Sequence, residues 1–167
     1  MTAASRLLGR DIGHPLVQEL HSQYFPYELY VNHTRGGLCL KQEDTFYTPE
    51  ELIAMFMQYA KDTTQHFGGK VIKDCVVTVP SSFTQHERKA MYTAAEIADL
   101  RILTLIEENT AAALHYGIDR VFESPTTVLY YNMGASSVQV TIVTYSSYVV
   151  KEGALSCVSS LFVNSLL

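Results

Sequence analysis

In residues 48–69, hydrophobic positions recur every three or four residues, which is the spacing of one face of an α-helix. The segment opens with Thr48-Pro49-Glu50-Glu51, which combines a capping threonine, a proline suited to the first helical turn and a glutamate that completes a capping box. Gly68-Gly69 ends it. One apolar stripe consists of Leu52, Met55, Phe56, Tyr59 and Ala60. The pattern predicts a helix whose stripe packs into the core.

Short apolar runs then alternate with amphipathic runs. Residues 74–79 and 102–106 are apolar nearly throughout, which is typical of strands covered on both faces. Thr84-Gln85-His86-Glu87 is a second capping box and opens a helix between them. Another helix is predicted over residues 109–116, with Gly117 as its cap. Strand, helix, strand and helix at short spacing predict a parallel α/β unit.

Near residue 126, the alternation of predicted strands and helices gives way to consecutive predicted strands. Residues 127–132 predict a strand, and Met133-Gly134-Ala135-Ser136 predicts a tight turn. Residues 138–144 alternate as a second strand, and residues 148–151 are interpreted as a third. We therefore predict an antiparallel meander that begins a new sheet.

Composition narrows the classes of function. The 167 residues are 47% hydrophobic, which excludes a wholly disordered chain. Twelve Lys and Arg against seventeen Asp and Glu give a net charge of −5, without basic clusters, so neither nucleic acid nor an anionic membrane surface is an expected partner. Three cysteines lack disulfide-framework or zinc spacing, and no apolar run reaches the length of a membrane span. Residues 1–10 lack the apolar core of a signal peptide.

Two segments carry candidate chemistry, each with an alternative reading. The turn from Asn132 to Ser137 offers successive backbone N–H groups that can bind phosphate. An ordinary hairpin turn of small residues explains the same pattern and is favoured from the turn alone. Glu107-Glu108 follows a predicted strand, where α/β proteins place ligand-facing groups. Charge that favours a helix start explains the pair as well, and position alone favours that explanation.

Asn32-His33-Thr34 matches the acceptor triplet for N-glycosylation at Asn32. Such modification requires a secretory lumen. Because these triplets arise often by chance, the motif alone carries little weight.

Two long motifs change this picture. Residues 76–88 and 105–117 resemble segments of the nucleotide-binding domain of the seventy-kilodalton heat-shock chaperones. The resemblance covers roughly residues 4–153 and points in particular to the large endoplasmic-reticulum branch of that family. Supporting features are the run Arg6-Leu7-Leu8-Gly9-Arg10, Asn109 in place of the usual proline, and residues 131–134 and 141–145.

The resemblance implies an actin-like α/β ATPase fold, with two ribonuclease-H-like lobes around a nucleotide and a mixed sheet. On that fold, residues 1–125 form part of lobe one, residues 126–153 the first strands of lobe two, and residues 154–167 a divergent tail. The chain is then a partial domain, because the first phosphate loop and the distal adenosine-binding part have no counterpart in it.

The resemblance also implies roles for individual residues. The second phosphate loop corresponds to Gly134, Ala135, Ser136 and Ser137. Glu108 matches the carboxylate near the hydrated magnesium and the attacking water. Pro80 and Arg88 match the pair that relays the nucleotide state toward the substrate domain. Asn132 replaces an Asp that helps to position metal-bound water, and Ser5 stands where hydrolysing members carry a catalytic Lys.

The resemblance implies binding of ATP or ADP with Mg²⁺. The departures imply slow or absent hydrolysis, because Asn132 carries no charge for the cation and Ser5 none for the transferring phosphoryl group. Ala135 and Ser136 replace glycines, which narrows the approach to phosphate. The implied partners are nucleotide and, through the full-length protein, the main luminal heat-shock-seventy-type chaperone and unfolded clients. The endoplasmic-reticulum lumen is the implied location, with the cytoplasm as the alternative. A non-catalytic nucleotide-exchange module and an inactive truncated product remain alternatives.

Overall fold

The computed structural model describes residues 4–23, 27–32, 37–134, 137–150, 153–157 and 161–162. Contacts divide the chain into two compact units. Unit 1 holds Met1–Val77 and Phe83–Leu105, and unit 2 holds Thr78–Ser82 and Ile106–Leu167. The assignment of residues 1–125 and 126–153 to two lobes stays a prediction.

Unit 1 begins with two short helices and an antiparallel sheet of three strands. These elements are α1 (Ala4–Leu7), α2 (Pro15–Gln23), β1 (Leu29–Asn32), β2 (Gly37–Gln42) and β3 (Thr45–Tyr47). Their core contains Leu7, Val17, Leu38 and Leu40, together with Leu52 from the next helix. Burial of these side chains is the main stabilising contribution to this part of the unit.

Helix α3 (Pro49–Gly68) confirms the predicted start and end. The Glu51 N–H donates to Thr48 Oγ1 at 3.2 Å, and the Glu51 carboxylate accepts the Thr48 N–H at 2.8 Å. Gly69 follows in the left-handed conformation, with φ of 63°. This capping box satisfies two backbone groups that would otherwise lack an intrahelical partner.

The predicted burial of the α3 stripe is wrong. Leu52 is buried, but Met55, Phe56 and Tyr59 are 48%, 49% and 72% exposed, and Ala60 is exposed. The helix buries Pro49, Leu52 and Ala54 near its start. Helical spacing identifies an apolar face, but the described residues supply no element that covers the rest of this one.

The predicted strand–helix–strand segment is present as β4 (Asp74–Val79), α4 (Gln85–Ile97) and β5 (Arg101–Glu107). Both strands start at the same end, because the Arg101 N–H donates to the Lys73 carbonyl at 2.7 Å. Since β4 and β5 are hydrogen-bonded neighbours, they run parallel. The prediction that they are covered on both faces is wrong: Val76 is 56% and Leu103 60% exposed.

Unit 2 consists of one helix and an antiparallel sheet. The elements are α5 (Glu108–Gly117), β6 (Thr126–Met133), β7 (Val138–Val150), β8 (Gly153–Cys157) and β9 (Leu161–Phe162). The antiparallel meander is confirmed, but residues 148–150 continue β7 instead of forming a separate third strand, which is β8. Because β7 is long, β6 pairs with its first part and β8 with its last part.

The prediction that Gly117 caps α5 is wrong. Gly117 is the last residue of α5, and the cap position is Ile118 in ordinary right-handed conformation. A Cβ on Gly117 would lie 2.6 Å from Cε1 of Tyr145. Glycine is therefore required for close packing of α5 against β7, a demand that local sequence does not reveal.

Candidate functional site

Glu108 and Asn132 are both neighbours of Gln139 at one end of the β6–β7 ladder. Glu108 is the half-buried first residue of α5, and its Oε2 accepts a hydrogen bond from Gln139 Nε2 at 3.0 Å. Gln139 on β7 is the cross-strand partner of Asn132 on β6. Directly paired residues project to the same face of a sheet. The fold thus brings a carboxylate and two amide side chains to one face, beside the turn that joins the strands.

The turn after β6 closes on itself. The Gly134 N–H donates to the Ser137 carbonyl at 2.9 Å, and both residues are exposed. Ala135 and Ser136, the other two predicted phosphate-loop residues, lie outside the described residues. In this conformation, the N–H of Gly134 is engaged within the turn and does not point to an external anion.

The donor set at this end of the ladder fits a cation held through water. Glu108 contributes one carboxylate, of which one oxygen already accepts from Gln139, and Asn132 contributes a neutral amide. Mg²⁺ in nucleotide sites keeps several waters and uses one or two carboxylates together with phosphate oxygens. Across the part of the chain that the structure describes, no group of three or more His, Cys, Asp or Glu side chains could hold a metal alone.

A buried hydrogen bond fixes the helix that carries Glu108. Asn109 Nδ2 donates to Thr141 Oγ1 at 2.8 Å, and the two residues are 7% and 2% exposed. An unpaired amide or hydroxyl at this depth would be costly, so the pair specifies how the first turn of α5 meets β7. The sequence marked Asn109 only as a substituted proline and gave no indication of its partner.

The two predicted relay residues lie in different units. Pro80 directly follows β4, is half-buried and belongs to unit 2. Arg88 lies in the first turn of α4 in unit 1, where its Nε donates to the Phe83 carbonyl at 3.0 Å. This bond ties the Arg88 side chain to the loop that precedes its own helix.

Sequence analysis did not predict a charged contact in unit 1, between Arg10 and Glu87. Glu87 is only 5% exposed and receives Arg10 Nε at 3.1 Å. Its carboxylate also accepts the N–H of Thr84 at 3.0 Å and the Thr84 hydroxyl, so the Glu87 half of the second predicted capping box is present. Burial by itself raises the pKa of Glu87, but the bonds from Thr84, the backbone and Arg10 outweigh it and hold the pKa below its ordinary value. The partners are 77 positions apart, beyond the reach of local patterns.

Two other predicted positions, Ser5 and Asn32, lie on elements of unit 1. Ser5 is exposed on α1 in unit 1. Asn32 is the last residue of β1, while His33 and Thr34 of its triplet lie outside the described residues. Of the helices described here, none combines the length and apolarity that crossing a bilayer requires.

Known proteins are similar to this chain over most of its length. A protein named Hypoxia up-regulated protein 1 from Danio rerio is 39% identical over 150 residues, which is 87% of this chain and 15% of the relative. Its namesake from Xenopus tropicalis is 36% identical over 153 residues, covering 89% of this chain and 24% of the relative. Heat shock 70 kDa protein 17 from Arabidopsis thaliana is 38% identical over 136 residues, covering 80% of this chain and 16% of the relative.

The chain thus spans between 15% and 24% of the length of these relatives. Residues 1–160 match the protein family described as Hsp70 protein. The resemblance inferred from the two long motifs is confirmed, and the chain belongs to the Hsp70 family.

Proposed function

We propose that this chain is part of the ATP-binding domain of a molecular chaperone that assists protein folding in the endoplasmic reticulum, with slow or absent ATP hydrolysis. Family membership supports the nucleotide-binding part of the proposal. The observation that carries it within the chain is that Gln139 has Glu108 as its hydrogen-bond partner and Asn132 as its cross-strand partner, at the end of the ladder next to Gly134. The similarity to hypoxia up-regulated proteins supports the lumenal location.

In this proposal Glu108 and Asn132 would hold a hydrated Mg²⁺ through water, and the ion would supply positive charge to neutralise the nucleotide phosphates. Glu108 holds and orients a water at the free side of its carboxylate, since Gln139 occupies the other oxygen. Asn132 donates or accepts one hydrogen bond but contributes no negative charge. Ser5 supplies no positive charge for the transferring phosphoryl group. The chain therefore binds nucleotide better than it hydrolyses it.

The turn at 134–137 forms the phosphate-binding loop of the proposal, through Gly134, Ala135, Ser136 and Ser137. Backbone N–H groups in such a nest bind anions. For the Gly134 N–H to contribute, its bond to the Ser137 carbonyl must open. Opening one exposed backbone hydrogen bond costs about 1 kcal/mol, which phosphate binding can offset.

The remaining roles extend this proposal. Pro80 and Arg88 relay nucleotide state to the substrate domain of the full-length protein, and Asn32 carries an N-linked glycan in the lumen. The full-length protein works with the main luminal heat-shock-seventy-type chaperone and with unfolded clients.

Calorimetric titration with Mg-ADP and Mg-ATP tests the nucleotide site, after circular dichroism has shown that the chain is folded. We expect binding that requires Mg²⁺ and that weakens about tenfold in Glu108→Gln, because one carboxylate near the cation is lost. Glu123→Gln, an exposed carboxylate in the same unit, is the matched control and leaves binding unchanged. Absence of binding by a folded chain contradicts the proposal for this chain.

A second candidate function is a non-catalytic nucleotide-exchange module, which the uncharged Asn132 and Ser5 favour. Its test is the release of labelled ADP from a separate heat-shock-seventy-type chaperone. Faster release by both the wild-type chain and Glu108→Gln supports this function, whereas unchanged release excludes it. If the chain shows no cooperative unfolding transition, the inactive truncated product becomes the better description.

A further inference from the structure

A groove runs along the exposed face of α3 in unit 1, and we call it the α3 groove. Its floor is the helix face that includes Met55 and Tyr59; Phe46 of β3 and Ile97 at the end of α4 form its walls. The volume is about 680 Å³.

The groove is lined by large apolar side chains that remain open to solvent. Phe46 is 52%, Met55 48%, Tyr59 72% and Ile97 53% exposed. Single exposed apolar residues are ordinary, but a contiguous set around one concavity marks an interaction surface. Met55 and Tyr59 belong to the stripe that sequence periodicity assigned to the core, so the helix carries an apolar face for which the described residues provide no cover.

Among the described residues, the charged side chains that line the groove are acidic, Glu51 and Asp62. One basic residue lies nearby, because Lys41 is the cross-strand partner of Phe46, and its Nζ lies over the Tyr30 ring. Lys61, next to Asp62, does not neutralise this rim, since its Nζ binds the Ala98 carbonyl at 3.1 Å and the Asp99 carboxylate at 3.0 Å and its side chain is 8% exposed. An apolar floor with an acidic rim is complementary to a segment that is apolar and basic.

We propose that the α3 groove binds a short amphipathic segment of a partner protein, with aromatic or aliphatic anchors on one side and Lys or Arg at the flanks. The anchors pack against Met55, Tyr59 and Ile97, while the basic flanks lie near Glu51 and Asp62. This is the helix-in-groove mode, in which anchors one turn apart supply most of the affinity. The lining residues all belong to unit 1, so the binding does not depend on the proposed nucleotide site.

The test uses the 167-residue chain and two fluorescent peptides that share one pattern of Leu and Phe anchors. One peptide carries Lys at the polar positions and the other carries Glu. Anisotropy titrations give the affinities. We expect the Lys peptide to bind at least about tenfold more tightly at low salt, with the difference shrinking as salt screens the rim. Tyr59→Ser weakens binding of the Lys peptide about tenfold. Asp62→Lys weakens it several-fold and reduces the salt dependence.

Phe67→Ser is the matched control, because Phe67 is 85% exposed on the same helix but does not line the groove. It leaves the affinity for the Lys peptide unchanged. Equal affinity for both peptides, or equal loss in Phe67→Ser and Tyr59→Ser, shows non-specific apolar adsorption and overturns the proposal. A concentration-dependent dimer that Tyr59→Ser converts to monomer assigns the groove to a second copy of the chain and also overturns it. Retention of peptide binding when nucleotide binding is absent separates this proposal from the proposed function.

Discussion

Helices α4 and α5 each follow a strand of the same parallel pair, yet they are anchored by different forces. At the start of α4, Glu87 joins Thr84 and Arg10 in a buried charged network. At its end, Lys61 binds the Ala98 and Asp99 carbonyls. Helix α4 is therefore fixed at both ends by charged side chains.

Helix α5 is fixed mostly by neutral contacts, with one charge-assisted hydrogen bond from Gln139 to the Glu108 carboxylate. Its N-cap residue, Glu107, makes no side-chain capping hydrogen bond among the described residues. Instead, Asn109 binds Thr141, Tyr145 donates to the Ala113 carbonyl at 2.8 Å, and Gly117 packs on the Tyr145 ring. Helix α4 is thus held at both ends by charged side chains, whereas α5 is held along its length by contacts with β7.

Arg10→Leu is the variant for which we expect the largest loss of stability. It leaves the buried Glu87 carboxylate without its cation, which we expect to cost about 3 kcal/mol of unfolding free energy. Urea unfolding followed by circular dichroism measures it. Lys89→Leu, an exposed lysine on the same helix, serves as the control and changes stability by less than about 0.5 kcal/mol. Equal small effects in both variants contradict a charged anchor for α4.

Gly117→Ala tests the steric anchor of α5. The new methyl group would lie 2.6 Å from the Tyr145 ring, and we expect a loss of about 2 kcal/mol from the forced repacking. Gly68→Ala makes the identical change at the last residue of α3, where a Cβ meets nothing within 4 Å. Higher helix propensity makes that control neutral or slightly stabilising. Thermal unfolding distinguishes the two variants, and similar melting temperatures refute the close approach.

Asn109→Ala and Thr141→Val test the neutral bond at the start of α5. Each alone leaves a buried polar group unpaired, and we expect a loss of about 1.5 kcal/mol of stability. A double-mutant cycle measures their coupling, and the double variant loses less than the sum of the two. Strictly additive losses show that the two side chains do not support each other.

The smallest expected effect is a difference between wild type and Arg10→Leu in how much stability is lost at acid pH. The pKa of Glu87 in the folded chain lies below its ordinary value of 4.5, since the bonds from Thr84, the backbone and Arg10 outweigh burial. As pH falls below that value, the unfolded chain takes up a proton first, so the stabilising contribution of Glu87 is lost on acidification. Urea midpoints at neutral pH and at about pH 4 therefore differ less in Arg10→Leu than in wild type. An equal drop in both contradicts a role for this pair in acid sensitivity.

Local chemistry made α3 and the β6–β7 meander predictable. The signal from Thr48 to Glu51 fixes where α3 begins, and Gly69 fixes where it ends, because capping is decided by neighbours in sequence. The apolar and alternating residues on either side of the turn at Gly134 identified both strands and their antiparallel pairing. These are effects within a few residues or across one hairpin.

Long-range packing was not predictable. Periodicity shows that Tyr59 shares a face with Leu52, but it does not show whether another element covers that face. Nothing near Gly117 in the sequence indicates the Tyr145 ring, and nothing near Glu87 indicates Arg10. Within the candidate site, Gln139 was missed because an amide on an alternating strand is ordinarily a solvent-facing residue.

The buried Tyr145 has an optical consequence. The chain contains no tryptophan, so its near-ultraviolet signal comes chiefly from its eleven tyrosines. The Tyr145 ring stacks on the Phe122 ring with centroids 4.7 Å apart, and the hydroxyls of Tyr145 and Tyr130 are hydrogen-bonded to each other. Burial, followed by the hydrogen bond with Tyr130, raises the pKa of Tyr145 well above its ordinary value. Tyr145 is therefore an optical probe of the folding of unit 2. We expect it to remain protonated in alkali while α5 and the sheet are folded, and to ionise, with a change in absorbance, when they unfold.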